Sequence, residues 1–233
     1  MSDLQFDCDD GGHRQRVTLA DGPLVIAGWT GRDAAAVEHH IAELERLGVP
    51  RPSSVPLYYR VARSLLTQSA EIEALGPDSS GEAEPVLLRI GGRWWLTVGS
   101  DHTDRRVEAY SVAVSKQMCA KPLAGVAWPL ERIAGHADSL RLRSQVHEHG
   151  RWATYQQGTL ASIRPLPQLI AGLPLGGPPP DGTVVFCGTL IVHPDAQGNG
   201  VRPASRMRLE LEDPRTGATI SHEYAVRALP IVS

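Results

Sequence analysis

The chain has 233 residues, of which 42% are hydrophobic and 21% charged, and its formal net charge is −3. This composition is typical of one ordinary globular domain. The near balance of acidic and basic residues, with no basic run, argues against a nucleic-acid partner. No apolar run approaches the roughly 20 residues that a membrane-spanning helix needs, so we expect no membrane partner.

The cysteines and the N-terminal segment indicate a cellular compartment. Cys8, Cys119 and Cys187 are odd in number and lack metal-ligand spacing, which is typical of a reducing compartment. The segment MSDLQFDCDDGG is acidic and has no apolar region of the kind a signal peptide contains. We therefore expect a cytoplasmic protein.

The first third of the chain predicts strands and one helix. Residues 15–28 predict two short strands paired as a hairpin around the sequence Asp-Gly. The stretch DAAAVEHHIAELERLG begins with a capping residue, Asp33, and carries apolar residues at helical spacing, so it predicts a helix. Residues 55–61 predict a strand, and residues 70–81 a polar loop.

The rest of the chain predicts mainly strands. Residues 82–98 predict a strand pair that turns at Gly91-Gly92, and residues 140–157 predict a second hairpin. Pro85 lacks a backbone donor, so the first strand of the pair is expected at the edge of its sheet. Residues 166–172 predict a short helix, TVVFCGTLIV a buried strand, and RMRLELEDPRTGATISHEYAV a hairpin on a DPRTG turn. Because strands dominate and strict β-α-β alternation is missing, we expect an α+β fold that is mostly β.

Three carboxylates stand out near the predicted Gly-Gly turn. Glu82 and Glu84 are two positions apart, so on a strand they share one face, and Asp101 follows after the chain has turned back. Carboxylates that share a pocket repel each other unless a cation lies among them, and all-oxygen ligation selects Mg²⁺, Mn²⁺ or Ca²⁺. The commoner alternative for an isolated E-x-E pair is a solvated loop end, with Asp101 capping a turn.

Further polar residues follow Asp101. If the strand continues, Asp101, Thr103 and Arg105 share a face, and Arg105 is predicted to hold a substrate carboxylate through two hydrogen bonds. Lys116 lies among apolar and small residues, where its charge can stabilise a developing enolate or oxyanion. The alternative for each basic residue is a solvated surface charge, which is the commoner outcome.

Two other candidates indicate different chemistry. Cys119, close to Lys116, is a possible nucleophile for an enzyme that needs no metal, although no group is clearly placed to activate it. The His-x-His sequence at residues 147–149 has a spacing that can ligate a transition metal, but it falls on a predicted hairpin tip, where solvated side chains are more common.

The motifs and their order resemble the fumarylacetoacetate hydrolase superfamily. The family's E-x-E matches residues 82–84, its D-x-[ST]-x-R matches residues 101–105, and its later lysine and Gly-Thr match Lys116 and Gly188-Thr189. No single motif is specific, but the ordered set is informative.

Two earlier motifs of the family are also similar. Its H-x-x-E helix matches His40 to Glu43, and its F-x-K strand matches Tyr58-Tyr59-Arg60, with arginine in place of lysine. The resemblance implies the family's mixed β-sandwich roll with few short helices over residues 31–233. Residues 1–30 are then expected to form an N-terminal strand hairpin or extension, and the protein to be a homodimer.

The resemblance also implies an activity. The expected enzyme is a divalent-metal-dependent hydrolase that cleaves a C–C bond in a small acylpyruvate or 1,3-dicarbonyl-type oxo acid through a metal-bound enolate. Glu82, Glu84 and Asp101 bind Mg²⁺, or alternatively Mn²⁺ or Ca²⁺. His40, oriented by Glu43, is the general base, and Lys116 completes the catalytic set. The predicted substrate-binding residues are Thr103, Arg105, Thr189, Tyr58 and Arg60.

Departures from the family pattern keep other functions open. Members of the family usually have an Asn-Tyr pair before H-x-x-E, whereas this chain has Ala36 and Val37 at those positions. The segment between E-x-E and the aspartate is also shorter than in the family. The alternatives are a decarboxylase, isomerase or hydratase of a 2-oxo acid that uses the same site, and a non-catalytic homologue that only binds a small molecule.

Overall fold

A computed structural model describes residues 4–46 and 51–232, except for the side chains of His40, Glu43 and Leu44. An eight-stranded mixed sheet, here the main sheet, forms one layer. In spatial order its strands are β2 (Arg14–Thr18), β1 (Gln5–Asp9), β12 (Val126–Pro129), β9 (Arg93–Ser100), β8 (Ala83–Ile90), β15 (Val184–Phe186), β3 (Leu24–Gly28) and β4 (Leu57–Val61).

A five-stranded sheet forms the second layer, and the helices are short. Its strands are β14 (Arg151–Thr159), β13 (Arg141–Glu148), β16 (Arg206–Asp213), β17 (Ala218–Leu229) and β6 (Glu71–Leu75). Two small pairs join β7 (Ser79–Ser80) to β10 (Thr103–Asp104) and β5 (Leu66–Thr67) to β11 (Lys121–Pro122). The α-helices are α1 (Ala34–Arg46), α2 (Arg105–Glu108), α3 (Val112–Met118), α4 (Leu130–Ile133) and α5 (Leu166–Ala171). Single 3₁₀ turns lie at Arg63–Leu65, Ala137–Ser139 and Leu160–Ser162.

The central strands of the main sheet are buried on both faces. Leu87 and Leu96 face the five-stranded sheet and pack against residues such as Leu209. Val86 and Leu88, which alternate with Leu87 along β8, pack in a second apolar cluster on the opposite face. The polar residues that precede β8 and follow β9 are therefore held next to a dry interior.

The predicted mostly-β α+β fold is confirmed. The strand pair turns at Gly91-Gly92, which adopt φ of 59° and 74°, and the hairpins formed by β13 with β14 and by β16 with β17 are present. The predicted helix is also present, because the Asp33 carboxylate accepts hydrogen bonds from the backbone N–H groups of Ala35 and Ala36. None of the helices in the described part of the chain has the length and apolar character required to cross a lipid bilayer.

Three local predictions were wrong. Strands β2 and β3 exist but do not pair: β2 lies beside β1 at one edge of the main sheet, and β3 lies between β15 and β4 near the other. The first 30 residues therefore contribute strands to the main sheet. Residues 70–81 are not a loop, because Ile72 and Ala74 alternate with exposed glutamates in β6.

The third error concerns Pro85, which was expected to mark an edge strand. Strand β8 is central, and Pro85 lies just beyond the last paired residue of β15, where its carbonyl still accepts a hydrogen bond from the N–H of Cys187 (3.1 Å). Because the β15 ladder ends there, the missing N–H of proline is tolerated in a central strand.

A buried hydroxyl connects the two sheets near the end of β9. The Tyr224 hydroxyl, from β17, lies 2.8 Å from Ser100 Oγ and 3.0 Å from His102 Nδ1. The other ring nitrogen of His102 lies 2.9 Å from Ser79 Oγ. Burial lowers the pKa of His102 to about 3, so its imidazole is neutral at physiological pH.

The Tyr224→Phe substitution should destabilise the protein by about 1–3 kcal/mol, because it leaves buried partners of the hydroxyl unsatisfied. Chemical denaturation with urea measures this change. Tyr110→Phe is the matched control, because Tyr110 is 87% exposed, and its effect should stay within about 0.5 kcal/mol. Equal stability of the two variants would show that the hydroxyl does not connect the sheets.

Candidate metal centre

Three carboxylates meet at one end of the β8–β9 hairpin. Glu82 precedes β8, Glu84 lies within it, and Asp101 follows β9. One oxygen from each lies within 4.8 Å of the others. Glu84 and Asp101 are buried, and Glu82 is partly exposed. We call these three residues the carboxylate cluster.

The hairpin register brings the cluster together. Glu84 pairs with Gly99, and the backbone N–H of Asp101 donates to the carbonyl of Glu82 (3.0 Å). The space beside Gly99 is closed, because a Cβ there would lie 2.7 Å from Leu123 Cδ2. The tight Gly-Gly turn at the far end of the hairpin fixes this register.

Asp101 is held by two lysines. Lys116, from α3, donates to Oδ2, and Lys121, from β11, lies with Nζ 3.0 Å from Oδ1 and also donates to the carbonyl of His102. Burial alone would raise the pKa of Asp101, but the two ammonium groups outweigh burial and hold that pKa well below its usual range. Burial likewise opposes the charge on Lys116, but Asp101 outweighs it and raises the lysine pKa.

Glu84 has a different environment. Among the residues that the structure describes, no basic side chain forms an ion pair with Glu84, and its Oε2 accepts a hydrogen bond from the N–H of Gly188 (2.7 Å). Burial, followed by repulsion from Asp101, raises the pKa of Glu84 well above its usual value. A buried carboxylate that has no ion-pair partner and lies beside two other carboxylates is suited to bind a hard divalent cation.

Arg105 supports the cluster from a helix rather than from a strand. The strand does not continue to Arg105, so the condition for a shared face is not met. Strand β9 ends at Ser100 and Arg105 begins α2, whose N-cap Asp104 accepts from the N–H of Val107 (2.8 Å). The Arg105 guanidinium lies 3.5 Å from Glu82.

The other contacts of Arg105 are to neighbouring protein groups. Its Nε donates to Ser80 Oγ (2.6 Å), and its Nη1 donates to Glu108 (2.8 Å). Most of its donors therefore have protein partners, which favours a role in holding Glu82. Its role as a substrate ligand stays a prediction.

Two predicted hydroxyl ligands lie beside the cluster and hydrogen-bond to backbone. Thr103 Oγ1 donates to the carbonyl of Asp101 (3.1 Å). Thr189 Oγ1 donates to the carbonyl of Ala83 (2.8 Å) and accepts from Gln156 Nε2 (2.6 Å). Both hydroxyls therefore stabilise the strand ends that carry the carboxylates.

Comparison of the sequence with protein families identifies its relatives. The profile of a family described as "Protein of unknown function (DUF2848)" matches residues 27–224. The chain belongs to the DUF2848 family. No curated protein matches it in sequence.

Solved structures place this DUF2848 protein in the fumarylacetoacetate hydrolase fold. Fumarylacetoacetate hydrolase from psychrophilic Exiguobacterium antarcticum superposes with a TM-score of 0.62 at 15% identity, covering 93% of this chain and 82% of the other. 2-Keto-3-deoxy-D-arabinonate dehydratase complexed with magnesium and 2,5-dioxopentanoate gives 0.61 at 14% identity, covering 94% and 78%.

A third structure, 4-oxalocrotonate decarboxylase from Pseudomonas putida G7 complexed with calcium and acetate, gives a TM-score of 0.54 at 15% identity, covering 90% of this chain and 78% of the other. At these identities the comparisons establish the fold. The resemblance read from the sequence motifs is confirmed at that level.

Two predicted substrate ligands of this DUF2848 protein lie apart from the cluster. The Tyr58 hydroxyl donates to the carbonyl of Leu169 (3.0 Å), and Arg60 is exposed. Because side chains alternate along β4, the intervening Tyr59 faces the site instead, and its ring centre lies 5.7 Å from Lys116 Nζ. The structure therefore brings Tyr59, rather than Tyr58 or Arg60, next to the predicted lysine.

The predicted general base lies outside the described residues. His40 and Glu43 belong to α1, but their side chains are not among those that the structure describes. The alternative nucleophile Cys119 is buried, and burial raises the pKa of its thiol, which disfavours the reactive thiolate.

Sequence reasoning missed Lys121. Nothing in the motif order identified it, because the resemblance includes a single lysine at this place. One signal was available: Lys116 and Lys121 are the only lysines in the chain, and the other 21 basic residues, histidines apart, are arginines. In a chain that otherwise uses arginine, two lysines five positions apart are candidates for one site.

Gly188→Ala should lower both stability and the order of the cluster. Gly188 has φ of +93°, and a Cβ there would lie 1.7 Å from Thr30 Oγ1, so we expect a loss of more than about 2 kcal/mol in the free energy of unfolding. Gly91→Ala is the control, because Gly91 also has positive φ but faces open space; it should cost only about 1–2 kcal/mol. Similar losses in both variants would contradict the close packing at Gly188.

Proposed function

We propose that this protein is a divalent-metal-dependent enzyme that acts on a small oxo acid, with hydrolysis of a C–C bond in an acylpyruvate or related 1,3-dicarbonyl acid as the reaction. The observation that carries the proposal is the carboxylate cluster, with one oxygen of each residue within 4.8 Å of the others and Lys116 on Asp101. The fold supports it, because the similar structures include a fumarylacetoacetate hydrolase.

Glu82, Glu84 and Asp101 would hold the cation. Magnesium is the first choice and Mn²⁺ or Ca²⁺ the alternatives, since all three prefer oxygen ligands. The similar dehydratase is complexed with magnesium and 2,5-dioxopentanoate, and the similar decarboxylase with calcium and acetate. When bound, the cation supplies Lewis-acid polarisation of a carbonyl group.

The protein residues supply charge and orientation. The Lys116 ammonium, fixed by Asp101 and packed beside Tyr59, would stabilise an oxygen that gains negative charge as an enolate forms. Arg105 would hold Glu82 in place, and Thr103 and Thr189 border the same space. Tyr59 joins the proposed substrate-binding set, in which Tyr58 and Arg60 stay predictions.

A proton acceptor is also required, and His40 with Glu43 remains the proposed pair. Glu43 is three positions after His40 in α1, so both residues lie on one side of the helix. A carboxylate at that spacing can fix the imidazole tautomer and leave the other nitrogen as the base that activates water.

A lyase reaction is the second candidate. It is favoured by the similar structures of a dehydratase and a decarboxylase, because loss of water or carbon dioxide from a 2-oxo acid passes through the same type of enolate. The two candidates share the carboxylate cluster and Lys116 and differ in what leaves the substrate. A homodimer, as the resemblance implies, is part of the proposal, and light scattering in solution tests it.

Millimolar Mg²⁺ should raise the melting temperature of the protein, because a ligand that binds only the folded state stabilises it by mass action. Glu84→Gln should abolish this rise while keeping the fold, since glutamine still accepts the hydrogen bond from Gly188. Glu131→Gln is the control, because Glu131 is exposed on α4 and lies outside the cluster. Retention of the full Mg²⁺ effect in Glu84→Gln would remove Glu84 from the proposed ligand set.

Turnover should be found by screening acylpyruvates, oxaloacetate and related oxo acids with Mg²⁺ or Mn²⁺ and following the enol absorbance. On any active substrate, His40→Ala should lower the chemical step by about 10²-fold or more, the usual scale for a lost general base. His39→Ala, about 100° around the helix, should retain most activity. Activity that survives chelation of all divalent cations would contradict the metal-dependent proposal.

A further inference from the structure

Lys121 is a second buried cation at the carboxylate cluster. Its side chain is fully buried, its Nζ lies 3.0 Å from Asp101 Oδ1, and it also donates to the carbonyl of His102. Because Lys116 donates to the other oxygen, both oxygens of Asp101 already have an ammonium partner. A divalent cation at the cluster would have to share Asp101 with two positive charges.

The formal charges of the connected network are nearly balanced before any cation binds. Its acidic members are Glu82, Glu84, Asp101 and Glu108, and its basic members are Lys116, Lys121 and Arg105. With every group ionised, as Glu84 is when it holds a cation, the formal sum is −1, and a divalent cation changes it to +1. Uncompensated charge away from water is costly.

The excess positive charge comes from Lys121. Without its ammonium, the same network would have a formal charge of −2, and a divalent cation would neutralise it. With its ammonium, neutrality after cation binding requires a further negative charge from a ligand. A carboxylate provides that charge, together with oxygen atoms that suit a hard cation.

We propose that Lys121 couples the binding of a divalent cation to the binding of a carboxylate ligand, so that each is bound weakly alone and more tightly together. This inference rests on the proposed metal site and gives a physical reason why its ligand must carry a negative charge. Neutral dicarbonyl compounds of the same shape would be bound poorly. The coupling is reciprocal, as any coupling between two binding equilibria must be.

The choice of lysine at both positions fits this role. Lysine is a compact charge with three donors, whereas arginine is a planar fork that matches one carboxylate edge. Arginine is used for every basic residue of the chain except the two that bind Asp101, histidines apart. Two point charges can occupy separate oxygens of one carboxylate and leave part of each oxygen accessible.

The test is calorimetric titration of Mg²⁺ into the full chain, alone and with oxalate, oxamate or oxamide. These three probes are alike in shape and carry charges of −2, −1 and 0. Oxalate and oxamate should both raise the Mg²⁺ affinity within the usual 5–150-fold range of coupled sites, because each brings the negative charge that the network lacks, and oxamide should leave it unchanged. Formation of the magnesium–oxalate complex in buffer is subtracted. Equal effects of oxalate and oxamide would overturn the inference.

Neutral variants isolate Lys121. Lys121→Met should bind Mg²⁺ alone at least about tenfold more tightly than the wild type, because a nearby positive charge is removed, and its oxalate effect should shrink. If the methionine variant fails to fold, Lys121→Gln is the substitute, because glutamine keeps a donor for the His102 carbonyl. It should show the same changes in Mg²⁺ affinity and in the oxalate effect. Arg89→Met, which removes a charge at the far end of β8, is the control and should match the wild type.

The outcomes separate this inference from the proposed function. Tight Mg²⁺ binding to the wild type without any anion, with the same affinity in both Lys121 variants, would overturn the coupling and leave the metal site standing. Absence of Mg²⁺ binding in every variant, with and without oxalate, would overturn both.

Discussion

The pairing of Asp101 with two lysines is the constraint on which the site depends. A buried carboxylate is stable only when its charge is matched, and here the matching cations come from two separate segments. Strand β9 delivers Asp101, helix α3 delivers Lys116, and the short strand β11 delivers Lys121. The chain between residues 101 and 121 therefore surrounds one carboxylate.

The main sheet sets the other half of the geometry. Because β8 lies between β9 and β15 and is buried on both faces, Glu84 is carried into the interior with little freedom to move. The end of β15 then brings Gly188 close enough to donate its N–H to Glu84. The cluster thus has one carboxylate fixed by cations and one that accepts a backbone hydrogen bond.

Much of the fold could be predicted because its signals are local. Alternation and the Gly91-Gly92 turn predicted the β8–β9 hairpin, and the E-x-E spacing placed two carboxylates at its end. The pairing of β2 and β3 could not be predicted in this way, since their real neighbours are distant in sequence. The turn sequence between them permits a hairpin but does not require one.

Errors within the site have equally specific causes. The motif match named Tyr58, which stays a prediction, and missed Tyr59, which the alternation of β4 places beside Lys116 on the opposite face of the sheet. Arg105 was expected on a continued strand, but Asp104 accepts the N–H of Val107 and starts a helix. Lys121 was missed because its partner, Asp101, is brought to it only by the tertiary fold.

The opposite pKa shifts of Asp101 and Glu84 indicate different roles for two carboxylates of one cluster. Asp101 remains ionised because Lys116 and Lys121 outweigh its burial, whereas burial and the charge of Asp101 favour the protonated form of Glu84. The charge of Asp101 is thus balanced by the two lysines. Glu84 has no such partner, so a bound cation would favour its ionised form. A divalent cation that replaces the Glu84 proton would relieve the repulsion between the two carboxylates. The cluster therefore differs from a solvated group of acidic side chains, in which no member would need a cation to ionise.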